Sequence, residues 1–166
     1  MITNLIGESP HITGYSAREW TGGRDTFAFV DLDSGELAGA LLVHHLWGRW
    51  SEIAVVYVRE EYRGRGIGRE MLQGALRVLR TSERHLLLFF CSPGMGRIAE
   101  RSGFQLLPNE AEFVRGSLRR KVFLTVLYKA QWLCSAYRLR EIRRKKREFG
   151  CSFDFAVAVL RHEGSR

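Results

Sequence analysis

The stretch from Val56 to Arg69, Val-Tyr-Val-Arg-Glu-Glu-Tyr-Arg-Gly-Arg-Gly-Ile-Gly-Arg, constrains this chain more than any other. An apolar strand has to end there, turn through glycines at 64, 66 and 68, and continue as a helix whose apolar stripe begins at Ile67. Glycine at alternate positions leaves no Cβ in the way, so successive N–H groups can converge on one anion. A helix starting at the same point adds unpaired amides and the positive end of its dipole. Arg63, Arg65 and Arg69 interleave the glycines. A tight strand-to-helix connection alone needs neither this spacing nor these cations, and the stretch reads as a cradle for a phosphate-bearing ligand.

The neighbouring sequence supplies the elements that such a cradle needs. Thr26 to Leu32, Glu36 to His45 and Ser51 to Val58 read as three strands joined by short turns at Asp33-Ser34-Gly35 and Trp47 to Trp50, an antiparallel meander. Ile67, Met71, Leu72, Ala75, Leu76 and Leu79 recur at helical steps, and the helix is expected to run to about Ser82. His85 to Phe90 is a continuous apolar run suited to a buried strand, so strand, glycine turn, helix and strand form a βαβ crossover. Met95 to Ser102 reads as a short helix with Gly103 just past its end, and Ser16 to Trp20 as a turn or two of helix.

The late part of the chain has two readings. In the preferred one, Val122 to Lys129 is a strand, Gln131 to Arg147 a helix and Phe153 to Leu160 a closing strand. In the other, the spacing of Phe123, Leu127, Ala130, Cys134 and Tyr137 makes one long helix from about 118 to 148. The basicity of the protein lies here. Residues 1–114 carry 12 Lys+Arg against 14 Asp+Glu, residues 115–147 carry 12 against 1, and residues 148–166 carry 2 against 3. The segment 138–147 is therefore read as a helix with a thin apolar edge, Leu139 and Ile142, its remaining residues exposed and able to meet a nucleic acid or another anionic partner. A membrane partner is not expected, because the apolar face is narrow and no apolar run approaches a span. Cys91, Cys134 and Cys151 are odd in number and widely spaced, with no metal-ligand pattern, and are read as reduced thiols in a cytoplasm. His44-His45 gives no metal site, since adjacent strand residues point to opposite faces. The four tryptophans, Trp20, Trp47, Trp50 and Trp132, are assigned mainly to packing.

Arg63-Gly64-Arg65-Gly66-Ile67-Gly68 resembles the acyl-CoA signature of the GNAT superfamily of N-acyltransferases: Arg or Gln, two free positions, Gly, one free position, then Gly or Ala. Val58 stands at the usual spacing before the turn, and Ser102-Gly103-Phe104 resembles the Gly-Phe after the family's fourth helix, so the likeness runs from about Phe27 to Phe104. It implies an α+β fold: a mixed, mostly antiparallel sheet with a central βαβ crossover, shortened N-terminal helices and a basic C-terminal extension. One domain spanning 1–166 is expected, with its core at about 24–130 and residues 131–166 packed on or completing it. The implied activity is transfer of an acetyl group from acetyl-CoA, or another acyl-CoA, to an amine by direct attack. The alternative is a degenerate member acting as a nucleic-acid-binding or docking module.

The same resemblance places the cofactor pyrophosphate on Gly64 to Arg69 and the pantetheine arm along Val56, Tyr57 and Val58. The N–H of Val58 or its neighbour then serves as donor to the thioester oxygen, and Arg63, Arg65 and Arg69 are expected to add charge, one or two of them instead facing solvent. Glu52, eleven residues before Arg63, occupies the place of a general base found in one branch of the family, and strand alternation puts it on the face of Ala54, Val56 and Val58. Two departures stand out. Where the family often has a tyrosine acid the chain has Ala99, and Ser92 replaces an upstream asparagine; Ser92, Cys91, Tyr57 and Tyr62 are the substitutes considered. Few residues precede the first strand, so the extra residues after Phe104 are expected to supply the acceptor side.

Overall fold

The computed structural model describes residues 2–22, 25–46, 48–129, 135–150 and 152–162. Strands β1 (Asp25–Val30), β2 (Leu37–His45) and β3 (Trp50–Val58) form the antiparallel meander, each turn taking residues suited to it: Gly35 and Gly48 both sit at φ +70. Helix α3 (Ile67–Leu79) crosses over to β4 (His85–Phe90), which pairs with β3 in parallel. Helix α4 (Pro93–Arg101) leads to the short β5 (Gln105–Leu107) and a one-turn helix α5 (Glu110–Val114), and β6 (Ala156–Leu160) inserts between β4 and β5. The sheet order is β1-β2-β3-β4-β6-β5, with the β3/β4 pair its one parallel contact among the described residues. Two helices of six residues each, α1 (Ile2–Gly7) and α2 (Ala17–Gly22), precede the sheet. No helix among the described residues is long and apolar enough to cross a membrane.

Helix α3 buries the stripe read from its sequence. Met71, Leu72, Ala75, Leu76 and Leu79 pack on Leu41, Val43, Ile53, Leu86 and Leu88, each leucine worth about 2 kcal/mol of burial. The opposite face of β2 and β3 is covered by the N-terminal segment, where Ile6, Tyr15 and Trp20 pack on Ala40, Leu42, Val55 and Tyr57. A third cluster covers β4 and β6 on that side, with Phe113, Phe123, Leu124 and Tyr128 against Leu87, Val157 and Val159. Trp20 and Trp50 both pack within these clusters; Trp47 and Trp132 lie outside the described residues.

The preferred reading of the late segment is overturned. Residues 122–129 are helical: α6 (Leu118–Val122) starts at Ser117, whose hydroxyl accepts from Arg120 N, and runs straight into a π-helical stretch (Phe123–Tyr128). Phe123, Leu124 and Tyr128, separated by one, four and five residues, fall on one face of the π-helical stretch and pack onto Leu87 and Val157, and that burial wins over the β-branched composition. A single helix from 118 to 148 does not form either. Ser135 has extended backbone (φ −94, ψ 93) and caps a separate helix, α7 (Ala136–Phe149), by accepting from Arg138 N. The expected start of that helix, 131–134, and Cys134 and Cys151 lie outside the described residues.

Helix α7 also departs from the solvated basic helix that was expected. Lys145 is fully buried, its Nζ donating to the carbonyls of Ile6, Ser9 and Ile12, each at 2.7 Å. Arg138 is 4% exposed, pairs with Glu19 at 2.5 Å, and lies over the Tyr15 ring at 4.4 Å. Arg144 reaches Gly7 O at 2.7 Å. These cations fasten α7 to the N-terminal segment, while Arg140, Arg143, Lys146 and Arg147 remain exposed.

Candidate active site

The β3/β4 pairing covers Trp50↔His85, Ser51↔Leu86 and Glu52↔Leu87, and ends there. The narrow end is held by Arg84, which donates to Ser51 Oγ at 2.7 Å and to the carbonyls of Leu46 and Trp50. Beyond Glu52 a β-bulge intervenes: Val43 faces Ile53 and Leu42 faces Val55, leaving Ala54 as the extra residue. A bulge bends and twists its strand, and past this one β3 leaves β4 to form a V that opens toward the glycine turn. A cavity of about 1020 Å³ fills the V and runs from that turn down to Glu52.

The bulge corrects one expectation about Glu52. Simple alternation put it with Val56 and Val58, yet those two lie on the α3 face with Ile53, while Glu52 pairs opposite His44 on the face of Val55 and Tyr57. Glu52 reaches the cavity all the same and is 3% exposed. Arg59 N donates to Ala38 O at 2.9 Å, which sets the ladder phase. Val55 and Tyr57 therefore direct their amides to β2, and Val56 and Val58 direct theirs into the V. Val58 O is taken by Arg63 Nε at 3.2 Å, so its N–H is the group left facing the cavity.

At the open end, Gly64 and Gly66 have φ +78 and +84, in the left-handed region, with open space where a Cβ would stand. Gly66 is the N-cap of α3, a helix of 13 residues with no side-chain cap bond at its start, so its first amides point outward. Gly68 is different: a Cβ there would make ordinary contacts with Val58 and Ile98 at 3.6 and 3.7 Å. Arg63, Gly64, Gly66, Ile67, Gly68 and Arg69 all line the cavity. Arg65 does not; its guanidinium lies over the Tyr62 ring at 5.4 Å. Tyr62 directs its hydroxyl to Ser34 Oγ at 3.4 Å, away from the narrow end.

Around Glu52 the structure assembles groups that the sequence did not connect. Tyr128 donates its hydroxyl hydrogen bond to Glu52 Oε1 at 2.6 Å, and His44 Nδ1 lies 3.5 Å from Oε2. Tyr128 is stacked on Phe89 at 5.0 Å between ring centroids, which holds its ring in place. Burial first, and then the Glu52 charge, push the Tyr128 phenol well above the ordinary tyrosine value, and Tyr15 is raised by the same two causes. Both phenols stay protonated beside the carboxylate. Nothing in the motif pattern marks Tyr128, which falls in the segment where strand and helix periodicities compete. The one indirect signal is that a buried carboxylate at Glu52 must find donors somewhere.

Ala99 is fully buried among the core residues under α4 and offers no hydroxyl. Ser92 is the N-cap of α4 with no side-chain cap bond and lies on the cavity wall beside Cys91. Cys91 Sγ is 3.8 Å from His11 Nδ1, which brings the N-terminal segment across to the end of β4. The wall opposite α3 and α4 is completed by residues between Ser9 and Tyr15, by Tyr128 and Lys129, by Ile142 and Lys146 of α7, and by Phe153 and Phe155.

A parallel strand pair forced apart over a glycine-rich helix start, with a buried carboxylate at the apex, is an arrangement suited to an enzyme with a phosphate-bearing co-substrate. The chain belongs to the GNAT acetyltransferase family, whose model matches residues 4–104. Its fold is similar to that of Rv2747 from Mycobacterium tuberculosis, solved with CoA (16% identity, TM-score 0.65, covering 96% of this chain and 90% of that one). It is similar to N-acetylglutamate synthase from Neisseria gonorrhoeae, solved with coenzyme A and N-acetyl-glutamate (19%, TM-score 0.63, covering 98% of this chain but 32% of that one). A phosphinothricin acetyltransferase from Sinorhizobium meliloti, solved with acetyl-CoA, shares the fold over 63% of this chain and 68% of its own (16%, TM-score 0.53). No curated protein matches at the level of sequence. Membership makes the protein an acyl-CoA-dependent N-acyltransferase.

Proposed function

We propose that the protein transfers a short acyl group from acyl-CoA directly to an amine at the apex of the V, with Glu52 as general base. The observation that carries the reading is the convergence, in one cavity, of the open glycine turn, the inward amide of Val58 and the buried Glu52–Tyr128 pair. Bound acyl-CoA supplies an activated thioester carbonyl. The amides from Gly64 to Gly68 hold its pyrophosphate, the Arg69 amide being taken by Gly66 O at 3.0 Å; the Arg63 and Arg69 side chains add charge, and Val56, Tyr57 and Val58 line the path of its pantetheine. Arg65 contributes its backbone to the turn and its side chain to Tyr62.

Val58 N–H stabilises the charge that develops on the thioester oxygen during attack. Glu52 accepts a proton from the incoming amine, which as an ammonium has no lone pair to offer. Tyr128 fixes the orientation of Glu52 and keeps the carboxylate hydrogen-bonded when water is excluded. With Ala99 in place of the family's tyrosine, the departing thiolate leaves as the anion, which thiols tolerate, or takes the proton that the acylated nitrogen sheds, with Ser92 on the cavity wall offering it a hydrogen bond. The protein works in the cytoplasm as we read it, and an anionic partner docking through 138–147 would meet Arg140, Arg143 and Arg147, since Arg138, Arg144 and Lys145 are committed to the fold and Lys146 lines the cavity. Ala99 favours a second reading, a degenerate docking module, against which the assembled Glu52–Tyr128 pair stands.

Calorimetry with acetyl-CoA, followed by turnover across polyamines, aminoglycosides, amino acids, peptides and RNA, tests the proposal. Binding at micromolar concentration and acylation of at least one amine class are expected; absence of binding at millimolar acetyl-CoA would refute it.

A further inference from the structure

We propose that the acceptor amine also carries a carboxylate, as a free amino acid does, and that Lys146 receives it; this deepens the acyl-transfer reading and rests on it. The sheet divides the cavity. The amide turn, α3 and α4 lie on one face, so the phosphate-bearing carrier enters there. The acceptor has the opposite face, bounded by the N-terminal segment, Tyr128, α7 and the residues before β6.

The charges on that face are uneven. Glu52 sits at the apex, and Glu110 is matched by Lys129 at 2.9 Å. Lys146 lines the cavity, is exposed, and makes no ion pair among the described residues. Its neighbours Arg140, Arg143 and Arg147 extend the positive field outward along α7. The field repels a polycation such as a polyamine or an aminoglycoside and attracts an acceptor whose charge away from the amine is negative. The amine goes to Glu52 and the anionic end to Lys146. Closure of the acceptor side by several segments of the chain favours a small acceptor over a macromolecule, whose docking needs the outer face of α7 alone.

The test compares L-glutamate, L-leucine and L-phenylalanine with their α-carboxamides, alongside spermidine, kanamycin, a short peptide and an RNA-linked amine. Each is assayed with acetyl-CoA and the full-length chain, as wild type and as Lys146→Met. The free acids are expected to exceed their carboxamides in kcat/KM by about ten- to a hundredfold, the scale of a charge-assisted hydrogen bond. Lys146→Met should lower the acid to the level of its amide with acetyl-CoA affinity unchanged. Carboxamides or polycations acylated as well as the acids, or a preference untouched by Lys146→Met, would overturn the inference and leave acyl transfer standing. So would turnover confined to the peptide or the RNA-linked amine. Acetyl-CoA binding with no amine acylated would overturn the transfer reading together with it.

Discussion

Replacing Tyr128 by Phe removes a single oxygen and keeps the ring stacked on Phe89, whose centroid is 5.0 Å away. What is lost is the 2.6 Å hydrogen bond to Glu52, a buried carboxylate that then keeps only the more distant His44 nitrogen at 3.5 Å among the polar neighbours described. A hydrogen bond to a charged group contributes about 1.5–3 kcal/mol, which corresponds to roughly a ten- to a hundredfold fall in kcat/KM for the acceptor. Acetyl-CoA affinity, measured by calorimetry, should not change, because the turn that binds it lies at the other end of the V. If Tyr128 acts through Glu52, the effect disappears in the Glu52→Gln background, giving a coupling close to the whole single-mutant loss. A kcat/KM within twofold of wild type, or an undiminished effect in the double mutant, would refute the reasoning.

Gly66→Val forces a β-branched residue to φ +84, a strain of roughly 1–2 kcal/mol or more, and should weaken acetyl-CoA binding at least tenfold, whereas Gly68→Ala, with its Cβ in ordinary contact, should bind normally in the same titration. Lys145→Met strips three backbone carbonyls of a buried donor; the cost of about 3–5 kcal/mol should lower Tm by roughly 10 °C and raise acceptor KM with acetyl-CoA affinity retained, read by calorimetric melts and steady-state kinetics. Stability should also fall at alkaline pH. Tyr15 and Tyr128 have raised values in the fold, so above the ordinary tyrosine value of 10.0 the unfolded chain releases protons that the native state still holds, and the free energy of unfolding decreases as pH rises. Tm followed upward from pH 9 should decline, and Tyr128→Phe should make the decline shallower.

The part of the fold that was legible in the sequence is the part governed by local rules. Glycine spacing, the stripe on α3 and the continuous apolar run of β4 each demand one structure, and the β3–turn–α3–β4 unit follows from them. Gly103, at φ +91 after α4, belongs to the same category. The late segment was misread because its apolar residues satisfy two periodicities, and only the surface offered by Leu87 and Val157 decides between them. Bulges escape sequence reading for a similar reason: Ala54 is an extra residue only relative to the partner strand. The exposed basic helix was mistaken in another way, since Lys145 is buried against carbonyls that no composition reveals. Finally, β6 runs between β4 and β5, so removing residues 131–166 would open the sheet and cannot serve as a probe of the acceptor side.

The central claim is that Glu52 accepts the amine proton at the apex of the V. Single-turnover acylation of an accepted amine, with enzyme saturated in acetyl-CoA, measures that step free of cofactor binding and product release. Glu52→Gln should slow it by about 10²–10⁴-fold at neutral pH, with acetyl-CoA affinity unchanged and part of the rate recovered at alkaline pH, where the amine arrives already deprotonated. A variant that turns over at the wild-type rate at neutral pH would contradict the account.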